Sequence, residues 1–484
     1  MGVKVERLSE TNLELVDLRV KLSPRKGAFG VQYEARAEIS FGGDSSDDVR
    51  AVSRKPGGVT VDTVELDFDL YDILSLRQTS RVTRASSSKS VRSAQYLGRR
   101  LFESLFGRSL GSTYEEARAW SSAKPGRGLR LVLQLPYDDP VVRLPWELLY
   151  ESGCSGTSRD DFVALGERTA VVRELAQTRS EPLVLGPLVP VEEQPRVLFV
   201  AYNDEKLRYD EAWEFEAIRN VLNSYCDVRI LSGTEATLER LAREVVSYEP
   251  HVVHYLGTGM DMERTLPPGL EPSSGSQAIL LRDDQGNRSL VNADELQRLL
   301  YRAPYVRFVF LNACNTDWVA ATLGRGVPAV IGVLGEYADT SAIALARSFY
   351  SECGHGAALE QALAIARREL NYSNPGSLEW SAPVLYMTHV GSTLVRVRPS
   401  PLIRLVVAPQ PAVVGVEAMV TQTGRDAERE YLAARLEVDR RNRFALEEQI
   451  LQLGSQVPPA VQAQLDQLRQ RIAETEAALG VKQP

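Results

Sequence analysis

The pattern of apolar and polar residues changes near residue 195. From Arg196 onward, short continuous apolar runs alternate with amphipathic segments. The runs RVLFVAY, DVRILSG, PHVVHYLG and VRFVFLNAC are typical of buried strands, and the segments between them are typical of helices. This alternation predicts an α/β domain over residues 195–398, with a mostly parallel sheet flanked by helices.

The first part of the chain has a less regular pattern. Residues 1–58 include the alternating run FGVQYEARAEISF, which predicts a strand in a β-rich N-terminal segment. Residues 59–190 combine strand-like runs such as LRLVLQLP with the amphipathic helix AQYLGRRLFESLFG, so they predict a second α/β region. Four prolines between residues 176 and 196 predict a linker or a domain crossing before the regular alternation begins.

Residues 399–484 have a third pattern, which predicts a linker and a C-terminal helical hairpin or coiled coil. Apolar residues recur at helical spacing between Leu432 and Leu453, Gly454 ends that segment, and Pro458 precedes a second one. Such a hairpin has little core of its own. We therefore expect it to pack on the rest of the chain, on a second copy in a homo-oligomer, or on a protein partner.

Composition changes this picture little. The chain has 484 residues, of which 44% are hydrophobic and 25% charged, as in an ordinary soluble globular protein. Its net charge of −8 gives no electrostatic reason to expect nucleic acid or an anionic membrane as the partner. We also find no secretion signal and no apolar run near the roughly 20 residues that span a bilayer, so the expected location is the cytoplasm.

Metal and cofactor sites are not predicted. The four cysteines, Cys154, Cys226, Cys314 and Cys353, are far apart in sequence and form no CxxC pair, which argues against a zinc site and a disulfide framework. The glycines of LGRGVPAVIGVLG fit neither GxxxxGK[ST] nor GxGxxG, so nucleotide binding is not indicated.

Two residues follow predicted strands directly and raise the question of chemistry. Thr258 comes after PHVVHYLG, and Cys314 ends VRFVFLNAC. In a parallel sheet, reactive groups lie beyond the carboxyl ends of the strands, so both residues are expected at the same edge. A cysteine nucleophile needs a nearby base, and a threonine hydroxyl has no protonation near neutral pH that would serve.

The histidines do not supply an evident base. His254 lies inside a strand four residues before Thr258, about 13 Å away along an extended chain. His251 is further still. His355 is expected in a turn between helices, and His389 near the end of a last strand. A small buried cysteine is also a common structural residue, so Cys314 alone does not establish catalysis.

Several ordered segments resemble the CHAT family of caspase-like cysteine peptidases. They include EPHVVHYLGTG, LVNADELQRLL, VRFVFLNACNT, AALEQALAIARREL and SLEWSAPVLY, and VRLPWELLYES resembles the region that precedes many CHAT domains. The resemblance implies a caspase-like fold. It also implies that Cys314 occupies the nucleophile position and Thr258 the position of the family's catalytic histidine, with His254, Gly257 and Gly259 as cleft-lining residues.

The resemblance leaves three functions open. A non-catalytic CHAT pseudopeptidase would act as a scaffold, sensor or regulator in a bacterial defence or signalling complex, with a peptidase or its substrate as protein partner. Alternatively, Cys314 would serve an active cysteine endopeptidase whose base is displaced or supplied by a partner. In the third reading the protein is a structural subunit that assembles through the C-terminal hairpin. The threonine at position 258 favours the first.

Overall fold

The protein is described here from a computed structural model. The described residues are 14–25, 31–41, 59–66, 88–124, 126–137, 139–151, 162–176, 194–202, 211–261, 277–336, 338–388, 393, 394 and 469. The chain divides into one compact unit, Met1–Pro399, and a second, Ser400–Pro484. The predicted C-terminal hairpin, apart from Arg469, lies outside the described residues, as do Cys154 and His389.

The described strands of the first unit form two sheets. The strands are β1 (Glu14–Arg25), β2 (Val31–Phe41), β3 (Thr60–Leu66), β4 (Arg127–Pro136), β5 (Thr169–Ala176), β6 (Arg196–Ala201), β7 (Asp227–Ser232), β8 (Val252–Leu256), β9 (Gly259–Asp261), β10 (Gln277–Arg282), β11 (Arg288–Asn292), β12 (Phe308–Asn312), β13 (Ala329–Val333) and β14 (Pro383–Met387). The larger sheet has eleven strands in the order β3-β2-β1-β4-β5-β14-β13-β12-β8-β6-β7, and the smaller has the order β11-β10-β9.

The larger sheet is mostly parallel, which confirms the predicted fold class. Seven of its ten neighbouring pairs are parallel, and the three antiparallel pairs are β1–β2, β2–β3 and β13–β14. Every residue of β8, β12, β13 and β14 is buried, so both faces of the sheet are covered there.

Helices cover the sheet. They are α1 (Ser88–Phe106), α2 (Ser109–Ser122), α3 (Glu211–Leu222), α4 (Leu238–Tyr248), α5 (Ala293–Tyr301), α6 (Asp317–Leu323), α7 (Asp339–Gly354) and α8 (Leu359–Ser373). Capping explains two of the helix starts: the Thr237 hydroxyl accepts from the Arg240 amide before α4, and Asn292 forms a capping box with Glu295 at α5. No helix of the described residues is long and apolar enough to cross a membrane.

The three regions predicted within residues 1–398 share the larger sheet. β14 runs antiparallel to β13 and parallel to β5, so it joins the regular α/β strands to the strands of the N-terminal half. The sequence pattern gave no sign that β5 and β14 pair, because the two strands lie more than 200 residues apart in sequence. The predicted boundaries therefore mark changes of pattern within one compact unit.

A buried ionic cluster ties the two halves of the sheet together. Glu147 accepts hydrogen bonds from the guanidinium of Arg173, and its other near neighbour is Arg367, whose Nη2 lies 3.8 Å from Glu147 Oε1. All three side chains are at most 1% exposed. Burial lowers the pKa of Arg367 to about 10, which is still well above neutrality, so Arg367 is positively charged at pH 7. Glu147 is therefore the shared counter-charge of both arginines.

We predict that Glu147→Gln lowers the free energy of unfolding by about 3–5 kcal/mol, since it leaves two buried guanidinium groups without their counter-charge. Urea unfolding of the full chain measures this. The matched control is Glu216→Gln, which removes an exposed pair with Arg219 and should cost less than about 1 kcal/mol. Equal losses in the two variants would contradict the prediction.

Candidate functional site

The register of two parallel strands places Thr258 beside Cys314. β8 and β12 are neighbours, and Leu256 at the end of β8 lies opposite Asn312 at the end of β12. Thr258 and Cys314 each follow two residues beyond this last matched pair. The two residues that the sequence singled out therefore occupy adjacent turns at one edge of the sheet.

The two turns are in direct backbone contact. A Cβ atom added at Gly259 would stand 2.1 Å from the carbonyl oxygen of Cys314 and 2.7 Å from Cγ2 of Thr316. At Gly257, an added Cβ would meet the hydroxyl oxygen of Tyr255 at 2.6 Å. No larger residue fits at either position without displacing its neighbours. Gly259 thereby allows the two turns to approach each other, and Gly257 leaves room for the ring of Tyr255.

Tyr255 holds the Thr258 turn from beneath. Its buried hydroxyl donates to the Leu280 carbonyl at 2.8 Å and accepts from the Thr258 amide at 3.2 Å. The Leu280 amide in turn donates to the Thr258 carbonyl at 3.1 Å. Burial raises the pKa of Tyr255 above its ordinary value, so this hydroxyl stays protonated and keeps both roles.

The Cys314 turn is fixed on the other side by β13. Asn315 has a left-handed backbone (φ 54°), and its amide donates to the Gly335 carbonyl at 2.7 Å. The Thr316 amide donates to the Val333 carbonyl at 3.0 Å, and the Thr316 hydroxyl accepts from the Val333 amide at 3.0 Å. These bonds leave the thiol-bearing turn little freedom.

The side chain of Cys314 is half-buried among apolar groups. Its neighbours are Val333, Ala342 and Ala382, from β13, the first turn of α7 and the segment before β14. In the described part of the chain, no group of three or more histidine, cysteine or acidic side chains is placed to hold a metal ion.

His254 does not line an accessible cleft, contrary to the expectation from sequence. Its side chain is 0% exposed, and its ring stacks on Phe199 with centroids 4.5 Å apart. Its Nδ1 lies 2.9 Å from the hydroxyl of Tyr350 in α7. Burial lowers the pKa of His254 to about 3. The strand direction explains this position, since His254 lies in the middle of β8, where both faces are covered by helices.

Two other described histidines lie away from Cys314. His251 precedes β8 at the opposite edge of the sheet, where its Nδ1 accepts from the Arg196 amide at 3.0 Å. His355 follows the last residue of α7, whereas Ala342 in the first turn touches Cys314, and a 16-residue helix is about 24 Å long. None of the described histidines is therefore placed as a base for Cys314.

The cluster that follows the Cys314 turn was not found from the sequence. Asp317, at the start of α6, is 3% exposed, and its Oδ1 accepts from Nε2 of Gln277 in β10 at 3.0 Å. The same amide group accepts from the Trp318 backbone at 2.8 Å. An acidic residue in a first helical turn is a familiar start signal, but its partner 40 residues earlier in the chain has no local signature.

The comparisons with known proteins point to one family. The family model named CHAT domain matches residues 91–392. Among solved structures, a similar one is the Saccharomyces cerevisiae separase–securin complex, at 11% sequence identity and a TM-score of 0.41. The match covers 80% of this chain and 31% of the matched chain. No curated protein matches the sequence significantly.

The burial of His254 generates a prediction for stability against pH. The unfolded chain takes up a proton near pH 6.5, whereas the folded protein keeps this ring neutral until about pH 3. The contribution to stability is thus complete above pH 6.5 and is lost as the pH falls towards 3, with a slope of up to about 1.4 kcal/mol per pH unit.

His254→Phe should therefore make unfolding less pH-dependent between pH 6.5 and 4 than in the wild-type protein. Urea unfolding at several pH values measures the difference. His251, whose pKa is lowered to about 4 by burial and by Arg196 and Arg307, retains its own share in the variant. The exposed Leu290→Gln, which removes no ionisable group, is the control and should keep the wild-type slope. Parallel curves for His254→Phe and the wild-type protein would contradict the prediction.

Proposed function

Since this chain belongs to the CHAT domain family, we propose that it is a non-catalytic member that binds a peptide segment of a protein partner at the edge formed by the Thr258 and Cys314 turns. The observation that carries the proposal is the residue beside Cys314. Thr258 lies on the adjacent turn, where the resemblance implies a histidine, and no described histidine is placed to replace it.

The chemistry follows from the protonation states of the two side chains. An ordinary thiol has a pKa near 8.5, so only a few per cent is thiolate at neutral pH without help. A histidine within hydrogen-bonding distance would remove the proton and later return it to the leaving group, which contributes roughly 10²–10⁴-fold to a rate. A threonine hydroxyl performs neither step.

The framework around the missing base supports a binding role. Gly259 allows the close approach of the two turns, Gly257 leaves room for Tyr255, and Tyr255 and Thr316 hold each turn in place. In this proposal, the rigid edge holds an extended segment of a partner without cutting it. The protein would act as a scaffold, sensor or regulator in a bacterial defence or signalling complex, in the cytoplasm, with a peptidase or its substrate as the partner.

The C-terminal residues would add a second surface. The apolar spacing of residues 432–479 favours a helical hairpin, which suits either the same partner or a second copy of this chain. Neither binding mode requires a cofactor.

A second candidate is an active cysteine endopeptidase whose base is supplied by its partner. One observation favours it: Cys314 is retained at a strand end and is only half-buried, so a substrate carbonyl has access to the thiol. In this reading the isolated chain is inactive, and a peptide is cut only in the assembled complex.

The test of the first proposal is Thr258→His. The restored imidazole should raise the rate at which iodoacetamide alkylates Cys314 by at least about tenfold at pH 7, and should produce hydrolysis of peptides from a fluorogenic library. Peptide mapping by mass spectrometry reports Cys314 separately from the other cysteines. The control is Thr63→His, which places the same residue on β3, far from Cys314, and should leave the rate unchanged.

The wild-type chain decides between the two candidates. We expect no turnover of the library by the wild-type protein, alone or with a captured partner, and partner binding that survives Cys314→Ser. Turnover that appears with the partner and disappears in Cys314→Ser would refute the non-catalytic function and support the endopeptidase.

A further inference from the structure

We propose that the N-terminal half of the sheet positions the Cys314 turn through four side chains, Tyr137, Arg143, Asp317 and Trp318, which together form a strut. Tyr137 and Arg143 follow β4 in the N-terminal half. Asp317 and Trp318 begin α6, three and four residues after Cys314. The four are positioning residues, because their described contacts meet at the first turn of α6.

The first component of the strut is electrostatic. Arg143 Nε lies 4.0 Å from Asp317 Oδ2, and the guanidinium carbon of Arg143 stands 5.9 Å from the centre of the Trp318 ring. Asp317 is almost fully buried, so a positive charge nearby offsets part of the cost of removing its carboxylate from water.

The second component is aromatic. Tyr137 and Trp318 stack with ring centroids 5.2 Å apart and an interplanar angle of 21°. The hydroxyl of Tyr137 lies 3.0 Å from Oγ1 of Thr322, one turn further along α6. The guanidinium carbon of Arg325 also lies 4.5 Å from the centre of the Tyr137 ring. Tyr137 therefore contacts both an arginine and a tryptophan, and these contacts restrict the position of the ring.

The strut continues into the first hairpin of the chain. Asp139 accepts from the buried hydroxyl of Tyr33 in β2 at 2.5 Å and from the Val141 amide at 2.9 Å. Asp139 therefore caps the 3₁₀ turn Pro140–Arg143 at its N-terminus. The last residue of this turn is Arg143, which lies next to Asp317. The N-terminal strands and α6 are thereby connected through side-chain contacts of Tyr33, Asp139 and Arg143.

At its other end, the strut acts on the thiol through the backbone. Gln277 binds both the Asp317 carboxylate and the Trp318 amide, so the first turn of α6 is fixed to β10. The carbonyl of Cys314 packs against Gly259 on one side, and Thr316 is bonded to Val333 on the other. A displacement of the first turn of α6 must therefore move Cys314, because the few residues between them are already fully engaged.

Loosening the N-terminal end should expose the thiol. In the full chain, we expect Arg143→Met and Tyr137→Leu each to raise the rate of Cys314 alkylation by iodoacetamide at least roughly threefold, through more frequent local opening of the turn. Tyr137→Phe retains the stack on Trp318 and should stay close to the wild-type rate. Mass spectrometry of the Cys314 peptide gives the rate for this cysteine alone.

The matched control is Arg19→Met, which removes an ion pair with Glu174 in the same half of the sheet but has no contact with the strut. The thermal midpoint of each variant shows whether the fold is retained. If Arg143→Met fails to fold, the comparison of Tyr137→Leu with Tyr137→Phe still decides. Rates in both strut variants equal to that of Arg19→Met would overturn the proposal.

The inference rests on the proposed function only in taking the Cys314 edge as the functional site. The two proposals fail separately. Unchanged alkylation in the strut variants, together with a gain in Thr258→His, would overturn the strut alone. Peptide turnover by the wild-type protein, together with faster alkylation in the strut variants, would overturn the non-catalytic function alone.

Discussion

The backbone contact between Gly259 and the Cys314 carbonyl is the constraint on which the candidate site depends. Parallel pairing of β8 with β12 brings the two turns to the same level, but only a residue without a Cβ atom lets them touch. This contact restricts the movement of both turns. Residue 258 is thus placed beside Cys314 by main-chain geometry, whatever side chain it carries.

The interior of the same unit also contains buried ion pairs, whose charges are costly to remove from water. Glu147 pairs with Arg173 and Arg367. In a second buried cluster, a third arginine, Arg130, lies between Asp17 at 2.6 Å and Glu360 at 2.5 Å. Buried ion pairs add little net stability, because desolvation offsets most of their attraction. Their partners come from β1, β4, β5, α8 and the 3₁₀ turn Trp146–Leu148, so they link segments that are far apart in the sequence. The two halves of the sheet join in one arrangement that satisfies these charges.

The sequence predicted those parts of the site that depend on local pattern. The strands β8 and β12 end within two residues of the predicted apolar runs, and the small residues after them mark the turns of Thr258 and Cys314. Contacts between distant segments had no such signal. The pairing of β14 with β5, the bond from Gln277 to Asp317 and the ring partners of His254 all join segments separated widely along the chain. His254 was misplaced for this reason, since the strand pattern gives its position along β8 but not what covers it.

A site built in this way separates geometry from reactivity. The position of Cys314 is determined by β13, by Gly259 and by the contacts of α6, none of which needs a base at residue 258. A cysteine nucleophile, in contrast, needs a base within hydrogen-bonding distance to form its thiolate. No described hydrogen bond of the Thr258 turn involves the Thr258 side chain, because the bonds to Tyr255 and Leu280 use the amide and carbonyl of residue 258. The shape of this edge is therefore independent of the chemistry that the side chain at residue 258 supplies.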